Sequence, residues 1–259
     1  MPRPCRILHE PTLPSSFLPR RAFILTGLLA AVLGSSASAQ DPASNTALQP
    51  EPREGAWIKM HEAFLERAKQ GPVDLLFLGD SITAGWGNRS ARGPATVWDR
   101  HYGPRHAANF GIGGDRTQHV LWRLEHGEVD GIKPKVAVVM IGTNNVHANT
   151  PAEVAEGITA IVKTLRAKLP ETKVLLLAVF PRGPKDDRVR DRIKAINARI
   201  APLDDGKTVK YLDIGDRFLE PDGTLSREIM PDLLHLSTKG YHIWADAMEP
   251  TLWRMLEGK

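Results

Sequence analysis

The sequence has a single cysteine, Cys5, among its 259 residues. With no second cysteine the chain cannot form an internal disulfide, and no thiol accompanies the motifs described below, which excludes a cysteine nucleophile. No His-x-His or His-Glu-x-x-His spacing occurs. That absence weighs against a metal-dependent phosphoesterase built on Asp80, Asp115 and the histidines, and chelator-sensitive activity is what would revive it.

The chain also lacks a block of basic residues, although Lys and Arg number 34 against 30 Asp and Glu. Much of the excess falls in residues 1–39, and the remainder is nearly neutral. Proteins that bind nucleic acid usually cluster basic residues on one face. We therefore expect no nucleic-acid partner.

Residues 1–39 predict an export signal. Arg20 and Arg21 precede an apolar run over 22–33, and small residues end in Ala37-Ser38-Ala39. We expect cleavage after Ala39 and a periplasmic or secreted protein of bacterial origin. The paired arginines resemble a twin-arginine signal, with an ordinary secretory signal as the alternative. The run is shorter than the roughly 20 apolar residues that cross a bilayer, so no stable membrane anchor is expected.

The rest of the chain predicts one domain behind a short lead-in. Residues 40–54 contain three prolines and few apolar residues, which indicates a flexible segment. Residues 55–259 are long enough to bury a sizeable core, and their composition is ordinary for a globular domain.

Five short apolar runs predict buried strands, separated by segments of helical period. Runs without polar alternation suit parallel strands covered on both faces. Thr150-Pro151-Ala152-Glu153 is a capping box that starts one helix, and Ser237 is a plausible cap for the last one. The pattern predicts an α/β fold, a doubly wound parallel sheet between two helical layers. The runs lie at 73–78, 107–110, 136–141, 174–179 and 209–214.

Polar residues follow the predicted strands at the edge where ligands bind in such folds. Gly79-Asp80-Ser81-Ile82-Thr83 follows the first strand and Gly111-Ile112-Gly113-Gly114-Asp115 the second. Gly142-Thr143-Asn144-Asn145 follows the third, and Asp232-Leu233-Leu234-His235 precedes the last helix. The four clusters are expected to converge on one rim.

These clusters supply the parts of an acyl-transfer site. His235 is a candidate base for the Ser81 hydroxyl, and Asp232 could orient the imidazole. The backbone N–H groups of Ser81 and Gly114 and the side-chain amide of Asn144 could stabilise an oxyanion. Asp80 is interpreted as structural, shaping the serine turn.

Each feature has a simpler interpretation when taken alone. Gly-Asp-Ser is commonly a turn or a helix cap, and the glycine run could be a tight turn or a phosphate cradle. Asn144 could cap a loop, and His235 could be a packed core histidine. The four features together, in order after the expected strands, favour catalysis.

At these residues the sequence resembles the SGNH hydrolase superfamily, the GDSL esterases and lipases. Within it, Asn109–Thr117, His119–Leu124 and Gly142–Asn145 are similar to the catalytic subunits of intracellular platelet-activating-factor acetylhydrolases. The resemblance runs from about Val73 to the final helix. It implies a flavodoxin-like three-layer sandwich with strand order 2-1-3-4-5 and with no metal or organic cofactor.

The resemblance also implies roles for individual residues. Ser81 would be the nucleophile, Asp232 and His235 would complete the triad, and Gly114 and Asn144 would complete the oxyanion hole with the Ser81 amide. Ile82, Thr143 and Leu234 would surround the acyl pocket, where bulky side chains favour acetyl groups. The alternative is that Ile82 and Leu234 face the core.

The resemblance implies a small acyl ester as substrate, and the predicted export signal argues against platelet-activating factor as the natural one. Acetylated carbohydrates are the preferred expectation, with Trp86 and Trp122 either stacking on sugar or packing in the core. A lipid acetylhydrolase, a non-catalytic glycan-binding protein and a flavin protein on the same fold are the alternatives. Dimers occur among the acetylhydrolases that the chain resembles, so a homodimer is one expectation.

Overall fold

The computed structural model describes residues 45–90 and 93–258. The predicted export signal and residues 40–44 lie outside the described residues. The secondary structure alternates strands and helices along this part of the chain. The strands are β1 (Leu75–Gly79), β2 (Ala107–Gly111), β3 (Val136–Met140), β4 (Lys173–Leu177) and β5 (Val209–Leu212). The helices are α1 (Ala56–Lys69), α2 (Ser81–Ala84), α3 (Ala95–His101), α4 (Thr117–Glu125), α5 (Pro151–Lys168), α6 (Arg188–Ile200) and α7 (Thr238–Glu257).

The five strands form one parallel sheet in the order β2-β1-β3-β4-β5. Every residue of β1 and β3 is buried, whereas β2 and β5 at the sheet edges are partly exposed. The α/β sandwich predicted from the sequence and the strand order implied by the family resemblance are therefore confirmed. The carboxyl ends of β1, β2 and β3 are neighbours, which brings the turns after them together.

Side chains alternate between the two faces of the sheet and build two separate cores. On one face, Leu76 and Val139 pack with residues of α4, α5 and α6. On the other, Phe77 and Val138 pack with residues of α3 and α7, including Trp244. Helices cover both faces, which explains why the central strands read as continuous apolar runs.

The predicted helix caps are present. Thr150 N–H donates to Glu153 Oε2 at 2.6 Å, and Glu153 N–H donates to Thr150 Oγ1 at 3.3 Å, which completes the capping box of α5. Ser237 Oγ accepts from the backbone N–H of Gly240 at the start of α7. Helix α7 continues through Pro250 to Glu257.

The segment before α1 differs from the flexible lead-in expected over residues 40–54. Its described part, residues 45–54, contains a 3-10 turn, Thr46–Leu48, in which Ala47 is fully buried. The Ala47 carbonyl accepts a hydrogen bond from Thr117 Oγ1 at 2.8 Å, and Arg53 pairs with Asp115. Proline content indicates an extended chain, but these contacts to residues distant in sequence fix it against the domain. Among residues 45–90 and 93–258, no helix is long and apolar enough to cross a membrane.

Candidate active site

Ser81 is placed by the turn that follows β1. Asp80 is the N-cap of α2, and its Oδ1 accepts from the backbone N–H of Ile82 at 2.9 Å. Asp80 is fully buried, and this burial raises its pKa to about 7, with the Asp115 charge adding to the rise and the Ile82 N–H opposing it. Asp80 thus shapes the serine turn, as the sequence indicated.

Ser81, His235 and Asp232 form a chain of hydrogen bonds. Ser81 Oγ lies 2.9 Å from His235 Nε2, and His235 Nδ1 lies 2.7 Å from Asp232 Oδ2. Both distances are within hydrogen-bond range. The imidazole can therefore accept the serine proton at Nε2 while its Nδ1–H donates to the carboxylate, the tautomer that a general base requires.

The Asp232–His235 loop is held by its own backbone. Burial acts against ionisation of Asp232, but hydrogen bonds from the His235 ring and from the backbone N–H groups of His235 and Leu234 lower its pKa overall. Leu233 has φ +61°, a left-handed conformation that is unfavourable for leucine. Its carbonyl accepts from Gly183 N–H at 2.8 Å, which ties the loop to the segment after β4. Such strain is often retained where a loop must aim a side chain.

The glycine loop and Asn144 lie beside the serine. A methyl group on Gly113 would be 3.9 Å from Cβ of Ser81, so the loop after β2 approaches the serine turn. Gly114 has φ +77°, which favours glycine at this position. Asn144 Nδ2 donates to the Asp115 carbonyl at 2.8 Å and retains a second N–H. The three predicted oxyanion donors thus sit on turns that the sheet makes adjacent.

A buried ionic cluster beneath the glycine loop was not singled out from the sequence. Asp115 and Arg123 have fully buried side chains, and their Oδ2 and Nε atoms are 3.0 Å apart. Arg123 also pairs with the buried Glu128 and donates to the Phe110 carbonyl at the end of β2. Arg53 and Trp57 complete the cluster from the N-terminal side. The sequence does show charged residues next to the glycine run. It does not show which of these charged side chains are buried and paired, because that depends on the fold.

The three predicted acyl-pocket residues differ in exposure. Ile82 is 2% exposed and packs in the core between the sheet and α7, so its side chain follows the core alternative. This position favours the core alternative, and a role for Ile82 in the acyl pocket stays a prediction. Thr143 is also buried, and its carbonyl and hydroxyl lie 3.3 Å from Arg182 Nη1. Leu234 is half-buried and remains a candidate.

The two tryptophans considered for sugar stacking are also placed. Trp86 is fully buried among Tyr241, Trp244 and other aromatic rings, so it is not accessible to a sugar. Trp122 is half-buried and stacks on His126 with ring centroids 3.7 Å apart.

The candidate active site does not coincide with the groove described next. A groove of about 520 Å³ is lined by residues 129–134 and 168–172, which precede β3 and β4 and so lie at the opposite end of the sheet. At the serine end, the side chains of His235 and Asp232 are 47% and 56% exposed. In the described part of the chain, no group of three or more His, Cys, Asp or Glu side chains is arranged to hold a metal ion.

Comparison with known proteins agrees with this geometry. The model of the GDSL-like Lipase/Acylhydrolase family matches residues 77–243. The chain belongs to this family. The human platelet-activating factor acetylhydrolase IB subunit alpha1 is 37% identical over 219 residues, which cover 84% of this chain and 92% of the human protein.

Two solved structures share the fold. A GDSL-like lipase from Bacteroides thetaiotaomicron has a TM-score of 0.61 at 19% identity and covers 75% of this chain and 97% of its own. A point mutant of a Geobacillus acetyl-xylooligosaccharide esterase has a TM-score of 0.55 at 22% identity, covering 70% of this chain and 94% of its own. The chain is a carboxylic ester hydrolase of the acylhydrolase type. The hydrogen-bonded chain from Ser81 through His235 to Asp232 is its candidate catalytic centre.

Proposed function

We propose that the protein is a serine esterase that removes short acyl groups, chiefly acetyl, through an acyl-enzyme on Ser81. The observation that carries this proposal is the hydrogen-bonded chain from Ser81 Oγ through the His235 ring to Asp232. His235 Nε2 takes the serine proton as Oγ bonds to the ester carbonyl carbon. The imidazolium, stabilised by Asp232, then gives that proton to the departing alcohol oxygen.

Water repeats the sequence on the acyl-enzyme. His235 takes a proton from water, the hydroxyl bonds to the acyl carbon, and Ser81 Oγ leaves with the proton from His235 as the carboxylic acid is released. In both halves the tetrahedral oxyanion would be held by the N–H groups of Ser81 and Gly114 and the free N–H of Asn144.

The proposed substrates are acetyl esters of carbohydrates in the bacterial envelope or outside the cell. Two features support this choice. The sequence of residues 1–39 indicates export, and the half-exposed His235 and Asp232 leave the alcohol side of the site open to a bulky, hydrophilic group. The half-buried Leu234 beside His235 favours a short acyl chain.

A lipid acetylhydrolase is the second candidate. The observation that favours it is the 37% identity to a platelet-activating factor acetylhydrolase subunit over most of both chains. The two candidates share the acetyl-ester chemistry and differ in the alcohol.

Hydrolysis of p-nitrophenyl acetate, butyrate and octanoate by the protein lacking residues 1–39 tests the shared chemistry. We expect turnover to fall with chain length and to vanish in Ser81→Ala, while Ser90→Ala, at an exposed serine, keeps full activity. Labelling of Ser81 by a serine-directed phosphonate should accompany turnover. Equal rates in the enzyme and Ser81→Ala, with no labelling, would exclude the esterase mechanism and favour a binding role.

Hydrolysis of acetylated xylo-oligosaccharides and of a 2-acetyl ether phospholipid then distinguishes the carbohydrate candidate from the lipid candidate. A kcat/KM at least about tenfold higher on the oligosaccharide, equivalent to about 1.4 kcal/mol in transition-state binding, would support the carbohydrate proposal. The reverse preference would replace it with the lipid candidate.

A further inference from the structure

We propose that Asp115 is a positioning residue that holds the oxyanion-hole donors in place, and that Arg53 and Trp57 hold Asp115. The inference rests on the proposed serine-esterase function and assigns a task to the segment that precedes the catalytic domain's first strand. Arg53 and Trp57 come from residues 45–57, which include the described part of the stretch 40–54 that the sequence predicts to be flexible.

The carboxylate of Asp115 is fully buried and is met from three directions. Its Oδ1 accepts from Trp57 Nε1 at 2.7 Å and from Arg53 Nη1 at 3.1 Å. Its Oδ2 lies 3.0 Å from Nε of the buried Arg123. The three partners belong to the lead-in segment, α1 and α4, so the carboxylate joins three parts of the chain at one point.

The backbone around Asp115 carries the proposed oxyanion donors. Its carbonyl accepts from Asn144 Nδ2 at 2.8 Å, which orients the amide. Its N–H donates to the Ile112 carbonyl at 3.2 Å, which closes the turn containing Gly114. Arg53 Nη1 also donates to the Gly113 carbonyl at 2.7 Å. Both Gly114 and Asn144 are therefore fixed through contacts to Asp115 or to its partner Arg53.

A purely stabilising role would not explain this arrangement. Burial raises the pKa of Asp115, and the charges of Arg123 and Arg53 and the hydrogen bond from the Trp57 N–H oppose this rise only in part. A buried ion pair is commonly no more stabilising than apolar side chains of the same volume. What the buried carboxylate provides is a fixed position, because two hydrogen-bond donors, Arg53 and Trp57, and the ion-pair partner Arg123, which come from three elements, must all converge on it.

The sharpest test uses variants that leave Asp115 in place. Arg53→Ala removes a half-exposed side chain, and Trp57→Phe removes the indole N–H while retaining a ring against Trp122. For each we expect kcat on p-nitrophenyl acetate to fall between about 10-fold and 10²-fold with KM within about twofold, because small displacements of catalytic groups carry costs of this size.

Glu128→Gln is the matched control. Glu128 is as buried as Asp115 and pairs with the same Arg123, but within the described residues its carboxylate forms no hydrogen bond or ion pair with the glycine loop or Asn144. We expect a lower thermal midpoint with kcat unchanged. If kcat in Arg53→Ala, Trp57→Phe and Glu128→Gln falls only in proportion to each variant's loss of thermal midpoint, the cluster serves only general stability and the proposal is wrong.

Two further readouts separate positioning from folding. An alkylboronic acid that forms a tetrahedral adduct with the serine should bind Arg53→Ala more weakly by the same factor as the loss in kcat/KM. Added guanidinium chloride at low millimolar concentration should restore part of the lost kcat, and Arg53→Lys should retain more activity than Arg53→Ala. Unchanged kcat in both Arg53→Ala and Trp57→Phe would overturn the inference. Full activity in Ser81→Ala would instead overturn the esterase mechanism, so the two failures are distinguishable.

Discussion

Ser81 Oγ and His235 Nε2 lie 2.9 Å apart although 154 positions separate the two residues in the chain. The serine follows β1 near the middle of the sheet, and the histidine stands on the loop that leads into α7. Helix α7 packs against the sheet through Trp244 and Met248, in the core that contains Phe77 and Val138. The folding of that core therefore sets the distance between Ser81 and His235. The pair is thus a product of the whole domain.

Ser81 and His235 should act as one unit in turnover. Ser81→Ala and His235→Ala are each expected to remove nearly all activity on p-nitrophenyl acetate, because neither group can perform the proton transfer and attack alone. The double variant should be little worse than either single one. The kcat values of the native protein, the two single variants and the double variant give the coupling energy between Ser81 and His235. Losses that multiply independently would contradict a shared mechanism.

Asn144→Ala should lower kcat by about 10² to 10³, the usual cost of one oxyanion donor. The side chain is half-buried and its Nδ2 donates to the Asp115 carbonyl, so the change also frees the glycine loop. KM should change much less than kcat, since the donor acts mainly on the transition state. Steady-state kinetics with the acetate ester measure both. A loss confined to KM would place Asn144 in substrate binding instead.

Asp80 should make the protein less stable as the pH rises toward neutrality. Its pKa in the folded protein is about 7 against an ordinary 3.8, so the unfolded chain releases this proton first. The contribution of Asp80 to the free energy of unfolding therefore falls as pH rises from about 4 to about 7 and is then constant.

Asp80→Asn removes that titration and can still accept from the Ile82 N–H through its amide oxygen. The stability of the native protein relative to the variant should decrease across this pH window. Urea unfolding of both proteins at several pH values measures the difference. A constant difference across the window would show that Asp80 titrates normally.

The fold and the order of the chemical groups could be predicted from the sequence because they depend on local patterns. Continuous apolar runs identify the strands, and the cap at Thr150 identifies the start of α5. The Ser81 and His235 clusters are recognisable by their position after the strands. What could not be predicted is the direction of side chains next to the site. Ile82 follows the nucleophile directly, yet helix α2 turns it into the core.

The lead-in segment departs from its prediction for a related reason. Its three prolines and few apolar residues resemble a flexible linker, because nothing local in the sequence shows which parts of the domain it contacts. The contacts that hold it, from Thr117 to Ala47 and from Arg53 to Asp115, join residues more than 60 positions apart. The Trp57 contact to Asp115 is similarly remote in sequence.

Leu234 and Ile82 should respond differently to truncation. Leu234→Ala is expected to raise the rate on the butyrate ester relative to the acetate ester, because a half-buried side chain beside His235 is removed. Ile82→Val should leave that ratio unchanged and lower the free energy of unfolding by about 0.5 to 1.5 kcal/mol, the usual cost of a buried methylene. Ester kinetics and urea unfolding separate the two effects. An altered chain-length preference in Ile82→Val would show that the Ile82 side chain lines the acyl pocket.

Gly157→Ala should weaken both the packing of residues 45–54 and the activity. Within a helix this change normally stabilises by about 1 kcal/mol. Here the added Cβ would lie 2.6 Å from Thr117 Oγ1 and 2.8 Å from the Ala47 carbonyl, the two atoms that anchor the segment to α4. Relief of these contacts requires the segment to move away, so we expect faster amide exchange over residues 45–54 and a lower free energy of unfolding.

Lys163→Ala, at an exposed position of the same helix, is the control and should change neither quantity. Because Arg53 belongs to the displaced segment, kcat on the acetate ester should fall in Gly157→Ala as well, by a factor similar to that in Arg53→Ala. Faster exchange with unchanged kcat would mean that Arg53 keeps its hold on the glycine loop when residues 45–48 detach. A more stable Gly157→Ala with native exchange would show that the close approach of Ala47 to α5 is absent in solution.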